Sequence, residues 1–298
     1  MRRIATILSA VAILLAIAVP AVSATPGEGV YLSLGTSLAA GSQADAAGDT
    51  TFSSTSSYTD QLHQRLKGRL ASELAHVKLG CPGETTDQLL GGVDHDGDPS
   101  NCADLYATGS QIGDALATIE RGEVVLITID VGANDLFDAQ LICGTDPACL
   151  GAQIQSIAFK AAQIVTVIRD AGYAGPIVAM NYYNPLAAAA IGYINGVAGQ
   201  QAPNPFIALS SDALVSSLNG ALSQAYGAFG IPIADVYSAF NAGDFDDEIP
   251  QNGQPDNVDV LCKLSYMCPS DEMVKANIHL NKDGYRVVAK EFLDHIDW

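Results

Sequence analysis

The stretch Val30-Tyr31-Leu32-Ser33-Leu34-Gly35-Thr36-Ser37-Leu38-Ala39-Ala40-Gly41 decides how the rest of the chain is read. A short apolar run breaks at a glycine and delivers a serine onto the first turn beyond it. A serine so placed is either a nucleophile or the N-cap of the helix that follows, a common job for serine. Taken alone, the segment leaves both readings open.

Working outward, short apolar or β-branched runs recur at residues 30–34, 75–79, 124–129, 177–180 and 231–234. Segments of helical period separate the later ones. Ile154, Ile157, Ala158, Ala161, Ile164, Val165 and Ile168 are spaced by three and four, and Gly172 follows as a stop signal. A second helix is expected over 209–229 through Leu214, Leu218, Ala221 and Leu222, and a third over 283–296 through Tyr285, Val288, Ala289 and Phe292. Strands alternating with long helices predict a three-layer α/β/α architecture around a central parallel sheet of about five strands. Ligands in such sheets bind beyond the carboxyl ends of the strands.

Three further motifs lie downstream: Gly83-Glu84-Thr85-Thr86, then Gly132-Ala133-Asn134-Asp135 after a strand, then Asn277-Ile278-His279-Leu280-Asn281. Serine, glycine, asparagine and histidine in that order resemble the SGNH hydrolases of secreted bacterial type, also called the GDSL lipase/esterase family. The resemblance runs from about Tyr31 to the C-terminus and implies a flavodoxin-like sheet and a serine esterase or lipase hydrolysing carboxylic esters without metal or cofactor. It assigns Ser37 as nucleophile and His279 as the base that a weakly nucleophilic hydroxyl needs. It also assigns an oxyanion hole to the backbone N–H groups of Ser37 and Gly83 and the side-chain amide of Asn134. Pro82-Gly83 equally fits an ordinary turn. Asn134 is harder to explain by packing, since it directly follows the buried-strand run 126–132. His63, His76, His95 and His295 fall in segments read as helix, strand, loop surface and the end of the last helix, and are taken as structural.

Two departures stand out. The family's Gly-Asp-Ser is here Gly35-Thr36-Ser37, so any hydrogen bonding supplied by that aspartate is lost or altered. The acid that relatives carry two or three residues before the histidine is replaced by Asn277 and Ala276, neither able to hold charge. The site therefore reads as a Ser-His dyad with Asn277 or a backbone carbonyl orienting the ring. Asp271 and Glu272 are the candidates for a relocated acid, and an inactive descendant is the sober alternative.

Arg2 and Arg3 precede an uncharged run from Ile4 to Val19 with small residues at Val22-Ser23-Ala24, the pattern of a secretory signal over 1–24. The general secretory route fits better than the twin-arginine one. Residues 25–298 are expected to form one domain. Six cysteines fit an oxidising destination; proximity suggests Cys81 with Cys102, Cys143 with Cys149 and Cys262 with Cys268, one of 15 connectivities, with a zinc site as the weaker rival. Loss of the signal takes the formal charge from −19 to about −21 and argues against nucleic acid and anionic membranes as partners.

The Ser/Thr-rich 50–59 reads as a surface loop, and Asp94-His95-Asp96-Gly97-Asp98 fails as a calcium loop because Pro99 stands where the turn glycine belongs. The acidic run 244–248 is read as a solvated loop. Tyr182-Tyr183-Asn184-Pro185-Leu186 supplies an apolar, aromatic wall suited to an acyl chain or hydrophobic alcohol, or else ordinary loop packing. The expected product is a secreted monomer acting on small-molecule or lipid esters. An acetyl-sugar esterase and a glycan- or lipid-binding protein without turnover are the alternatives.

Overall fold

The computed structural model describes residues 28–296, apart from 53, 68, 72, 249–250 and 270–272. The expected export segment, and Asp271 and Glu272, lie outside the described residues. In chain order the elements are β1 (Glu28–Gly35), α1 (Ser37–Ala40), α2 (Tyr58–Leu66), β2 (Glu73–Lys78), α3 (Thr86–Gly91), α4 (Gln111–Glu120), β3 (Val124–Asp130), α5 (Ala133–Cys143) and α6 (Pro147–Asp170). They continue with β4 (Ile177–Met180), a 3-10 helix (Pro185–Ile191), α7 (Pro205–Gly227), β5 (Ile233–Ala234), α8 (Val236–Ala239), α9 (Asp256–Leu264), β6 (Ser265–Tyr266), β7 (Asn277–Leu280) and α10 (Lys282–Asp294).

The central sheet has five parallel strands in the order β2-β1-β3-β4-β5. β1 and β3 are apolar runs interrupted by Ser33 and Thr128, both buried, because both their faces are covered, and Tyr31, Leu32, Leu34, Leu126, Ile127 and Ile129 are wholly buried. From β1 the chain steps one way to β2, and later the other way from β3 through β4 to β5. Right-handed crossovers then put α2 on one face and α6 and α7 on the other. α10 packs with α2, where Tyr58 and Phe292 stack at 4.8 Å, while α6 packs with α7. The order reverses between β1 and β3, whose ends are in register at Gly35 and Asp130. Such a reversal opens a crevice at the carboxyl edge.

Local signals set the helix starts. Asp146 caps α6 ahead of Pro147, Asn204 caps α7 ahead of Pro205, and the Asn281 side chain accepts from Asp283 and Gly284 at the start of α10. Residues 50–59 differ from the surface loop expected. Ser57, Tyr58 and Thr59 are buried, because Ser57 and Asp60 form a capping box that starts α2. His279 also differs: it lies in β7, paired antiparallel with β6, where a loop was expected. All six cysteines are paired, as 81–102, 143–149 and 262–268. Among the described residues no helix is long and apolar enough to cross a membrane, and no cluster of side chains is arranged to hold a metal ion.

Candidate active site

Ser37 opens α1 directly after the Gly35-Thr36 turn and is half-buried. It is not the N-cap; Thr36 holds that position and makes no side-chain cap bond. Asn134 lies in the first turn of α5, immediately beyond β3. His279 arrives from the far end of the chain on β7, which the Tyr183 hydroxyl fixes by donating to the Ile278 carbonyl at 2.6 Å. Ser37, Asn134 and His279 line one cavity. Its walls are apolar: Leu136 and Phe137 from α5, Leu214, Val215 and Leu218 from α7, and Tyr182, Tyr183, Pro185 and Leu186 from the segment after β4.

Gly83 does not line that cavity. It is exposed, has φ +81°, and turns the chain between Cys81 and α3. Its loop is nevertheless tied to the site, since Asn134 Nδ2 donates to the carbonyl of Glu84 at 2.9 Å. Asp135 accepts from the backbone and hydroxyl of Thr86, which pins the start of α3. Behind the loop, Gln111 bonds both backbone groups of Gly35 and also the buried Glu84 carboxylate, which Tyr106 reaches as well. Burial raises the Glu84 pKa to about 7, against the pull of the donors around it.

The histidine's environment answers the missing acid. His279 Nδ1 lies 2.8 Å from Asn277 Oδ1, and the His279 backbone N–H donates to the same oxygen at 2.9 Å. The other end of the amide is committed, with Asn277 Nδ2 donating to the Gly48 carbonyl at 3.1 Å and to Thr50 Oγ1 at 2.9 Å. That fixes which way the amide points, so Oδ1 accepts and the ring carries its proton on Nδ1. Nε2 is then the free lone pair. Burial, at 8 % exposure, holds the ring's pKa down to about 4 and keeps it neutral at ordinary pH. Among the described residues no hydrogen bond closes between the ring and the Ser37 hydroxyl, and such contacts commonly tighten only when substrate is bound.

Thr50 and Gly48 were not singled out from the sequence. Gly48 and Thr50 lie 229 and 227 residues, respectively, from the Asn277 amide they support, and nothing in the pattern of residues 43–51 announces the contact. Asp130 was also passed over, although a carboxylate ending an otherwise apolar strand was a visible signal. Its side chain is wholly buried and accepts from Thr36 and Tyr58, and burial raises its pKa to about 7.

Comparison with known proteins gives the family and the fold. The GDSL-like lipase/acylhydrolase family model matches residues 33–287. The chain belongs to that family. Among solved structures it is similar to a lipase from a goat rumen metagenome, with TM-score 0.54 and 15 % identity over 90 % of this chain and 97 % of that one. It is similar also to the aryl esterase of M. smegmatis, with TM-score 0.51 and 16 % identity over 90 % of this chain and all of that one. Phospholipase A1 from Streptomyces albidoflavus gives 0.50 and 14 % over the same shares. Identities this low speak for a common fold. No curated protein matches the chain by sequence.

Proposed function

We propose that the protein is an exported carboxylic ester hydrolase that works through a Ser37-His279 dyad on esters with an apolar acyl or alcohol part. The observation that carries this reading is the convergence of Ser37, Asn134 and a neutral, Asn277-oriented His279 on one apolar cavity. Ser37 Oγ attacks the ester carbonyl carbon while its proton passes to His279 Nε2. The oxygen that gains charge is met by the Ser37 N–H and the Asn134 amide, while Gly83, the third expected donor, stands outside the cavity on the loop that Asn134 ties to the site. Collapse expels the alcohol, which takes the proton from His279, and water repeats the sequence on the acyl-serine. The mature protein is proposed to begin near residue 25 and to form a single domain.

A fluorophosphonate probe and a series of nitrophenyl esters test the reading together. Stoichiometric labelling and a preference for acyl chains longer than acetyl are expected from the apolar walls. Turnover confined to acetyl groups on carbohydrate would point to a sugar deacetylase, and absence of both labelling and turnover to a binding protein.

The dyad makes its own prediction about pH. The kcat/KM profile reports the free enzyme, in which the base must be neutral, so its acid limb should fall at about pH 4. In Asn277→Asp a carboxylate would face Nδ1 and favour the imidazolium, raising the ring's pKa. The acid limb of that variant should move up by about one pH unit or more. A limb that stays in place would show that Asn277 does not set the histidine's environment.

A further inference from the structure

Asp130 ends β3 with a carboxylate at 0 % exposure. A carboxylate taken out of water is costly unless donors surround it. Among the described residues no lysine or arginine pairs with it; its donors are all neutral. Oδ1 accepts from the Thr36 backbone N–H at 2.7 Å and from Thr36 Oγ1 at 2.8 Å, and Oδ2 accepts from the Tyr58 hydroxyl at 2.8 Å. Two of these three bonds come from the residue next to Ser37. The approach is close enough to dictate Gly35, where a Cβ would lie 2.5 Å from Asp130 Cγ and where φ is +147°. The Thr36 hydroxyl, which would ordinarily cap α1, is spent on Asp130 instead.

We propose that Asp130 is the positioning residue of the nucleophile turn, and that Thr36 and Asp130 form a reciprocal hydroxyl-carboxylate pair whose members can be exchanged. The inference rests on Ser37 being the nucleophile. The Gly-Asp-Ser order of related sequences puts a carboxylate on the turn; here the turn carries threonine, and the carboxylate stands beside it in register on the adjacent strand. Held by two bonds at Thr36, the turn keeps the Ser37 hydroxyl and N–H aimed into the cavity. Asp130 itself does not line that cavity and touches no reacting atom, so its effect passes through the turn.

The test compares Asp130→Thr, Thr36→Asp, the double exchange and Thr36→Val by steady-state kinetics, fluorophosphonate labelling rate and thermal melting. Asp130→Thr should lower kcat and the labelling rate by about 10- to 100-fold with KM changed by less than about threefold, as expected for a misplaced nucleophile. Thr36→Asp alone should also lose activity, because two carboxylates would then face each other. The double exchange should recover about tenfold or more over Asp130→Thr. A folded Asp130→Thr that labels at the parent rate overturns the proposal, and so does a double exchange no faster than Asp130→Thr. Should the Asp130 variants fail to fold, Thr36→Val decides. Slower labelling with unchanged melting supports the positioning role, and an unchanged labelling rate refutes it. Labelling that persists in Ser37→Ala would instead remove the nucleophile assignment itself, a separate failure from any of these.

Discussion

Replacing Ser37 or His279 with alanine is expected to lower kcat by about three orders of magnitude or more, and replacing both should cost little beyond either alone. The non-additivity follows from the division of labour. Without Nε2 to take its proton, the Ser37 hydroxyl is a poor nucleophile at neutral pH; without the hydroxyl, the imidazole has nothing to activate. What remains in each variant is the cavity and the proposed oxyanion donors, which would act on a water molecule equally poorly in all three. Stability should separate from activity here. Ser37 is half-buried at the first position of α1 and its side chain caps nothing, so Ser37→Ala should melt close to the parent temperature while losing fluorophosphonate labelling altogether. Steady-state rates of the two single variants and the double variant check the prediction. Losses that multiply would mean that the two side chains act independently, and a Ser37→Ala protein that still turns over would end the serine mechanism.

How much of this was legible in advance depends on the range of the interactions. β1 and β3 are buried on both faces, so their largely apolar runs identify them without knowledge of their neighbours. α6 and α7 are long enough for helical spacing to accumulate, although both begin earlier than their apolar stripes, at proline-led caps. β7 was hidden because a four-residue strand with a two-residue partner has no periodicity to detect. The chemistry divides in the same way. Ser37 and Asn134 sit directly beyond strands, so the sequence neighbours that deliver them also announce them. The supports for His279 do not. Asn277 is two residues away and visible, but the Gly48 carbonyl and Thr50 hydroxyl that turn its amide come from a distant loop. Likewise Thr36 shows only that an aspartate is missing, and the carboxylate that stands in its place belongs to a strand 94 residues on.

Asn134→Ala is expected to lower kcat by about 100- to 1,000-fold while KM changes little. The reason lies in how the amide is held. One N–H of Asn134 Nδ2 is engaged by the Glu84 carbonyl at 2.9 Å, which holds the amide in place on the wall of the cavity that Ser37 and His279 share, and its second N–H is the proposed oxyanion donor. A neutral ester carbonyl accepts weakly from that donor, whereas the oxyanion formed by attack accepts strongly, so the bond matters mainly at the transition state. Alanine removes the donor and also unties the Glu84 carbonyl, and with it the loop that carries Gly83. Asn134→Asp separates these effects. It keeps the size of the side chain but turns a donor into an acceptor that repels both the Glu84 carbonyl and the oxyanion, so it should be at least as damaging as alanine. Labelling of Ser37 by a fluorophosphonate should slow in both variants, because attack on phosphorus also puts charge on an oxygen. If Asn134→Ala raises KM and leaves kcat intact, the amide holds the substrate and stabilises no developing charge, and the oxyanion hole must be sought among the backbone N–H groups alone.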